Sequence, residues 1–344
     1  MVKGRYAEER LGWIPILLIL FLALPFVLRG TTISYRYYLY VLNLAGIYTI
    51  LVVGLDLLSG YTGLISLGHA AFFAIGAYTS ALLVDQAGLP FGLSLILTPI
   101  LTGLSGFVIG FPALRVSGMY LGLTTMGFGF IVTRLIIAFR RWTGGASGLE
   151  VSNPVLFGYR FQGHWENYYL ILASVILAVV TARRIVHSKI GRAFMAVRDL
   201  DETAATVGVN LAYYKMLSFF ISGVYAGFAG ALFAHTTHFI TTDHFNILLS
   251  IYFIVMVLVG GMGSVYGAVV GTLFIVLLDN LFVPQVKDWL GLFMRAEVGD
   301  LQALMFGLIM LLMIIFQPQG IYGMWLKVRL YWRLFPFNPR KRLT

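Results

Sequence analysis

Cysteine is absent from all 344 residues. That excludes a disulfide framework, a thiolate metal site, an iron–sulfur cluster and a cysteine nucleophile, and it says little about redox compartment. Charge is almost as scarce: Asp, Glu, Lys and Arg make up 11% of the chain, under half of the roughly 25% typical of a soluble globular protein. So little charge cannot cover a water-facing surface of this size, and the secreted, cytosolic and disordered classes fall together. Also missing are a G-x-x-x-x-G-K-[ST] phosphate loop, paired carboxylates, an H-E-x-x-H metal signature and a G-x-S-x-G nucleophile elbow. The chain is therefore not expected to hydrolyse ATP alone, no catalytic residue or metal ligand is assigned, and a membrane-embedded enzyme is disfavoured.

What is present is apolar: 59% hydrophobic residues and a mean hydropathy of +0.88. This is the composition of a polytopic membrane protein. The net charge of +10 is expected to track membrane topology rather than nucleic acid, since no basic stripe or stacking platform accompanies it. Stretches long enough to cross the hydrocarbon core, roughly 17 to 25 residues, recur at 11–28, 37–58, 66–84, 91–114, 117–139, 167–182, 213–234, 246–262, 265–283 and 301–316. The first carries Pro15 and Pro25 but no small-residue cleavage site, and reads as a retained span. The expected fold is all-α, a transmembrane helical bundle of about ten spans. It comprises a cytoplasmic N-terminus (1–10), a transmembrane domain (11–326) containing a cytoplasmic segment (183–212), and a basic cytoplasmic tail (327–344). With both termini inside, sixteen of the 24 Lys and Arg fall on the cytoplasmic side, as the positive-inside rule requires. Arg140 and Arg141 fit that scheme poorly, and Arg134 lies within a span.

Two glycine-rich stretches are unlike simple lipid-facing helices. Residues 59–77 hold four glycines and several hydroxyls at membrane depth, where irregular backbone must be buried in protein or line a cavity. In 260–271, Gly263, Gly267 and Gly271 stand four apart, which predicts one small-residue face for close helix packing. Both stretches read either as packing surfaces or as broken helices beside a permeation path. Weak similarity between the runs after Gly60 and Gly260 hints at two halves. Four ionisable residues lie at membrane depth: Asp56, His69, Arg134 and Asp279, candidates for function because burying a charge there costs at least ~2.5 kcal/mol. His69 is expected to open a helix whose N-terminal amides face a polar cavity, with a neutral packing role as the alternative.

The segment 183–212 is polar enough to leave the membrane. Ile190, Phe194, Val197, Ala204, Val207 and Leu211 recur at helical spacing, with Arg192, Arg198, Asp199, Asp201 and Glu202 away from that face. This predicts one amphipathic helix with a bend near Gly208. It either lies on lipid headgroups or docks in the cleft of a cytoplasmic partner. The acids Asp199, Asp201 and Glu202 favour docking, because an anionic leaflet repels them.

The run GRAFMAVRDLDETAATVGVN resembles the cytoplasmic coupling loop of ABC importer permeases: Glu202, Ala204, Ala205 and Gly208 approximate its EAA…G pattern, with Thr203 interposed. More specifically, the chain resembles the branched-chain amino acid (Liv-type) permease family. The matching segments are GLDLLSGYTGLISLGHAAFFAIGAYTSALL (54–83), GMYLGLTTMGFGFIV (118–132), WTGGASGL (142–149), the coupling run itself, VLVGGMGSVYGAVVG (257–271) and FQPQGIYG (316–323). They cover most of the chain in the family's order.

The resemblance implies one permease subunit of an ATP-driven importer in a bacterial or archaeal cytoplasmic membrane. Implied partners are a second permease, two cytoplasmic ATPase subunits that bind ATP and Mg, an extracytoplasmic solute-binding protein and the surrounding lipid. Coupling to the ATPase would use Gly191, Arg192, Arg198, Asp199, Glu202, Ala204, Ala205 and Gly208. Without an intramembrane acid–base pair to hold a zwitterion, the pathway is expected to touch its cargo weakly, through glycine backbone and Ser59, Thr62, Ser66, His69, Thr124 and Thr125. The outer loop 140–166 reads as a docking surface for the binding protein or as a plain solvated loop. Branched-chain amino acids, other amino acids, and urea or short amides remain open as cargo. An ion-coupled secondary transporter, using Asp56, His69 and Asp279, is the rival of another class.

Overall fold

Lipid leaves backbone N–H and C=O groups no partner outside their own segment, so apolar stretches at membrane depth close as helices. The computed structural model describes residues 35–285 apart from Ser117, Phe157, Gln162 and Val207, residues 319–334, and Pro25, Gly307, Leu308, Leu311, Leu312, Ile315, Phe316 and Gln317. Among these, twelve α-helices follow in order: α1 (Tyr35–Asp56), α2 (His69–Ala81), α3 (Phe91–Gly110), α4 (Met119–Ala138), α5 (Arg140–Thr143), α6 (His164–His187), α7 (Lys189–Asp199), α8 (Asp201–Thr206), α9 (Leu211–Thr237), α10 (Ile247–Gly260), α11 (Val265–Leu277) and α12 (Gly320–Leu334). The molecule is a polytopic helical membrane protein.

Six helices are long and apolar enough to cross a membrane: Tyr35–Tyr61, Phe91–Gly110, Met119–Ala138, Trp165–His187, Leu211–Thr237 and Val265–Gln285. Among the described residues these are six of the ten expected stretches. Two predicted stretches, 66–84 and 246–262, fold as shorter helices. The 13 residues of α2 and the five of the π-helical turn that continues it, Leu82–Gln86, reach about 25 Å against a hydrocarbon core of ~30 Å, starting at His69 because residues 62–68 leave the helix. The 14 residues of α10 start where the Asn246 side chain caps the Leu249 N–H and stop at Gly260. The stretch 11–28, Pro25 aside, lies outside the described residues, and 301–316 is described only at six scattered positions.

Helix α1 and the wider π-helical turn that continues it (Leu57–Tyr61) form the axis. Every residue from Ile47 to Leu58 is buried, as expected of a helix that is apolar all round. Helices α6, α9, α10 and α11 pack around it, and α9 also carries α2 and α3. Small residues permit these approaches: a Cβ on Gly76 or Gly230 would run into the backbone of α9 or α2, and one on Gly227 into Thr102 of α3. The face of α4 bearing Met119, Leu123, Phe130 and Ile131 stays exposed. At the end remote from α7, two antiparallel ladders tie the loops: β1 (Leu149–Glu150) pairs with β4 (Phe239–Ile240), and β2 (Val155–Leu156) with β3 (Tyr159–Arg160).

Candidate functional site

The segment expected to be one amphipathic helix is two. Ser188 caps α7 by accepting the Ile190 N–H, and the chain breaks at Leu200, whose extended backbone (φ −158°, ψ 91°) ends α7 before α8 begins. The apolar side chains still face inward: Phe194, Val197 and Ala204 are buried, and Phe194 stands edge-on to Tyr214 of α9 at 6.4 Å. Gly191 is buried where α6 turns into α7, and a Cβ there would overlap the Val186 backbone. Arg192, Asp199, Ala205 and Gly208 are exposed. The side chains of Asp201 and Glu202, and all of Val207, lie outside the described set. Gly208 adopts φ +86°, a conformation that glycine takes without the Cβ penalty. Asn210 then caps α9 by accepting the Tyr213 N–H at 3.0 Å.

Arg198 joins this segment to the membrane core. Its Nη1 donates to the Gly60 carbonyl at 2.9 Å, while its Nε donates to Asp199 Oδ1 at 2.9 Å. Gly60 lies in the π-helical turn at the end of α1, where backbone carbonyls lack ordinary helical partners. The same turn is held from a third direction: the Gly263 N–H donates to Asp56 Oδ1 at 2.8 Å. The fit is tight, since a Cβ on Gly60 would overlap both the Asp56 carboxylate and the Gly263 amide. Gly263 thus does not share a helix face with Gly267 and Gly271. It sits at φ +75° in the turn before α11, whereas Gly267 and Gly271 lie on α11 against the α10 backbone at Gly260. Asp56, read as a membrane-depth candidate, is 1% exposed.

A second polar cluster lies where α2 starts. His69 Nδ1 is 2.9 Å from Ser66 Oγ and its Nε2 is 2.6 Å from Ser222 Oγ; all three residues are fully buried. Around them the Leu67 N–H donates to Thr125 Oγ1 at 2.9 Å and the Ala70 N–H to Ser250 Oγ at 3.0 Å. His69 does begin α2, but the neighbouring amides meet hydroxyls of α4 and α10 rather than a cavity. Ser59 and Thr62 donate to the carbonyls of Leu64 and Leu57, and Thr124 to Tyr120 within its own helix. The structure thus groups Ser66, His69 and Thr125 and leaves Ser59, Thr62 and Thr124 apart from them. Ser222 and Ser250 were not singled out from sequence. A signal existed for the first: Ser218, Ser222, Ala226 and Gly230 form a small-residue row on α9.

Residues 37–316 match a family described as the permease component of branched-chain amino acid transport systems. The chain belongs to this family. It is 32% identical, over 94% of its length and 77% of the relative's, to the high-affinity branched-chain amino acid transport system permease protein LivM of Escherichia coli K12. A probable LivM of Methanocaldococcus jannaschii is 23% identical over 80% of the chain and 90% of the relative. An autoinducer 2 import system permease, LsrC of Escherichia coli O9:H4, is 28% identical over 77% and 78%. No solved structure matches the chain. The protein is a multi-pass ABC transport permease, a transport component and not a catalytic subunit.

Proposed function

We propose that this permease forms half of the membrane pathway of an ATP-driven importer for branched-chain amino acids, and that ATP hydrolysed in separate subunits drives it through α7 and α8. The cargo assignment rests on similarity to the LivM permeases along most of the chain. The coupling assignment rests on one contact, Arg198 to the Gly60 carbonyl. A cytoplasmic partner that moves α7 pulls directly on the end of α1, the most buried of the six spanning helices. Such a movement biases two arrangements of the core only if the contact differs between them. The exposed residues Arg192, Asp199, Ala205 and Gly208 form the surface for the ATPase, with Glu202 beside them in sequence. ATP and Mg belong to that partner.

The open face of α4, where a Cβ on Gly127 or Gly129 would meet nothing within 4 Å, is the surface for a second permease, with Thr124 at its edge. The paired segments around β1–β4 and β2–β3 receive the solute-binding protein. On this reading α7, α8 and both termini are cytoplasmic. Nothing favours an ion-coupled carrier: Asp56, His69 and Asp279 each hydrogen-bond within the chain, Asp279 with the Tyr252 hydroxyl at 3.2 Å.

The test is Arg198→Gln in the reconstituted complex. Removing a charge-assisted hydrogen bond of about 1.5–3 kcal/mol should lower the uptake obtained per ATP by at least about tenfold while the subunits still co-purify. An unchanged ratio would remove the coupling assignment.

A further inference from the structure

A buried polar chain lies where α9 ends, remote from α7. His235, Ser80 and Ser94 are fully buried and link three helices: His235 Nε2 of α9 is 3.1 Å from Ser80 Oγ of α2, which is 2.8 Å from Ser94 Oγ of α3. On its other side His235 Nδ1 is 3.0 Å from the carbonyl of Ser152, in the loop between β1 and β2. A carbonyl only accepts, so Nδ1 carries the proton, and in the neutral ring Nε2 accepts from the Ser80 hydroxyl. Ser94 then donates to Ser80, and the chain has one direction, set by the Ser152 carbonyl. Phe91 packs against the His235 ring at 4.7 Å. Ser152 is exposed and is held by Asp85, whose carboxylate accepts from both its N–H and its hydroxyl.

Helix α9 runs unbroken for 27 residues, ~40 Å, from the coupling segment to this loop. Against α2 and α3 it meets glycine with glycine: a Cβ on Gly76 would overlap the Gly227 backbone, one on Gly106 the Phe219 backbone, and one on Gly223 would crowd Gly103. Such faces bring backbones close but lack the interdigitating side chains that otherwise fix helix register. Register then falls to buried polar contacts, their best-attested structural use. Among the described residues two side-chain hydrogen bonds join α9 to α2, Ser222 with His69 and His235 with Ser80, and only the second leads on to an exposed residue.

We propose that His235 is a positioning residue for transport: it holds α9 in register with α2 and α3 while Ser152 accepts from its Nδ1, and docking of the solute-binding protein on the ladders beside Ser152 releases it. A partner that draws Ser152 away leaves the Nδ1–H buried without an acceptor, a costly state that a shift of α9 relieves. The shift reaches the junction of α8 and α9, at the coupling segment. This rests on the reading that those ladders receive the solute-binding protein.

The test compares ATP hydrolysis by the reconstituted complex with and without its solute-binding protein loaded with leucine, and measures that protein's affinity for the complex. Ser80→Ala cuts the link to α2 and leaves Ser152 on Asp85. Hydrolysis without the binding protein should rise, so that the stimulated-to-unstimulated ratio falls at least about fivefold, as one buried hydrogen bond with its partner left unpaired allows. The affinity should stay within about twofold of wild type. His235→Asn keeps a donor toward Ser152 and His235→Gln an acceptor toward Ser80; each retains half of the chain and should raise the unstimulated rate as well, which keeps the test decisive if the Ser80→Ala complex fails to assemble. A role in packing alone would lower both rates together. That result, an unchanged ratio in all three variants, or loss of affinity in Ser80→Ala would overturn the relay and leave docking intact. A wild-type complex that the loaded protein neither binds nor stimulates would remove the docking reading and the relay with it.

Discussion

Asp56 sits where three segments meet: the end of α1, the turn before α11 and, through Gly60, the side chain of Arg198. Its Oδ1 accepts a backbone N–H in a buried site, so the side chain is placed by the need to satisfy that amide. Asp56→Ala should leave the Gly263 N–H without its acceptor and cost about 1–3 kcal/mol, seen as a lower denaturation temperature of the detergent-extracted complex. Asp56→Asn retains an acceptor oxygen of the same shape and should keep most of that stability. If the two variants melt alike, the Gly263 contact contributes nothing. His69 is read the same way: two hydroxyls engage its two ring nitrogens inside the bundle, an arrangement that fixes the start of α2 against α9.

At the scale of elements, the break at Leu200 decides how the proposed coupling segment would move. A continuous helix would pass one rigid displacement along its length; two short helices joined at Leu200 and ended by Gly208 can tilt separately. Nothing lies within 4 Å of a Cβ placed on Gly208, so Gly208→Ala meets only backbone strain, about 1–2 kcal/mol for a left-handed residue. Amide hydrogen exchange should then quicken in 201–210 and stay unchanged in α1. Equal protection throughout would mean that α8 is held by contacts stronger than its own C-terminus. The helical period predicted which side of α7 and α8 is apolar, because burial follows that period. It did not predict the break, since a single extended residue barely disturbs the spacing of Phe194, Val197 and Ala204.

For the whole molecule, the central question is what travels with it. Gentle extraction of the tagged chain from its native membrane, followed by mass spectrometry, should yield ATPase subunits and a second permease. The purified chain reconstituted alone should neither hydrolyse ATP nor move leucine down a gradient. Repeated isolation of a stable single chain, even after cross-linking, would count against the importer assembly. The spread of relatives bears on cargo at this scale. LivM and LsrC permeases are named for different solutes, yet both align with most of this chain, which fits a bundle that conducts and a separate protein that selects.

Composition and hydropathy by themselves determined the membrane class, the all-α bundle and the position of six spanning helices to within a few residues. Lipid forces this legibility: a stretch that cannot satisfy its backbone from outside must be helical, and its length is set by the bilayer. The ordered motifs carried the family. Only the tertiary structure decided which residues meet. Arg198 and Gly60 are 138 positions apart, His69 and Ser222 153, and Asp56 and Gly263 207. Sequence period reports which face of a helix is buried, but not against what. Those partners depend on how closely backbones approach across glycine faces and on where a helix stops, which is why the contacts of Arg198 and Gly263 emerged only when the helices were packed together, although the interruption before His69 was already legible.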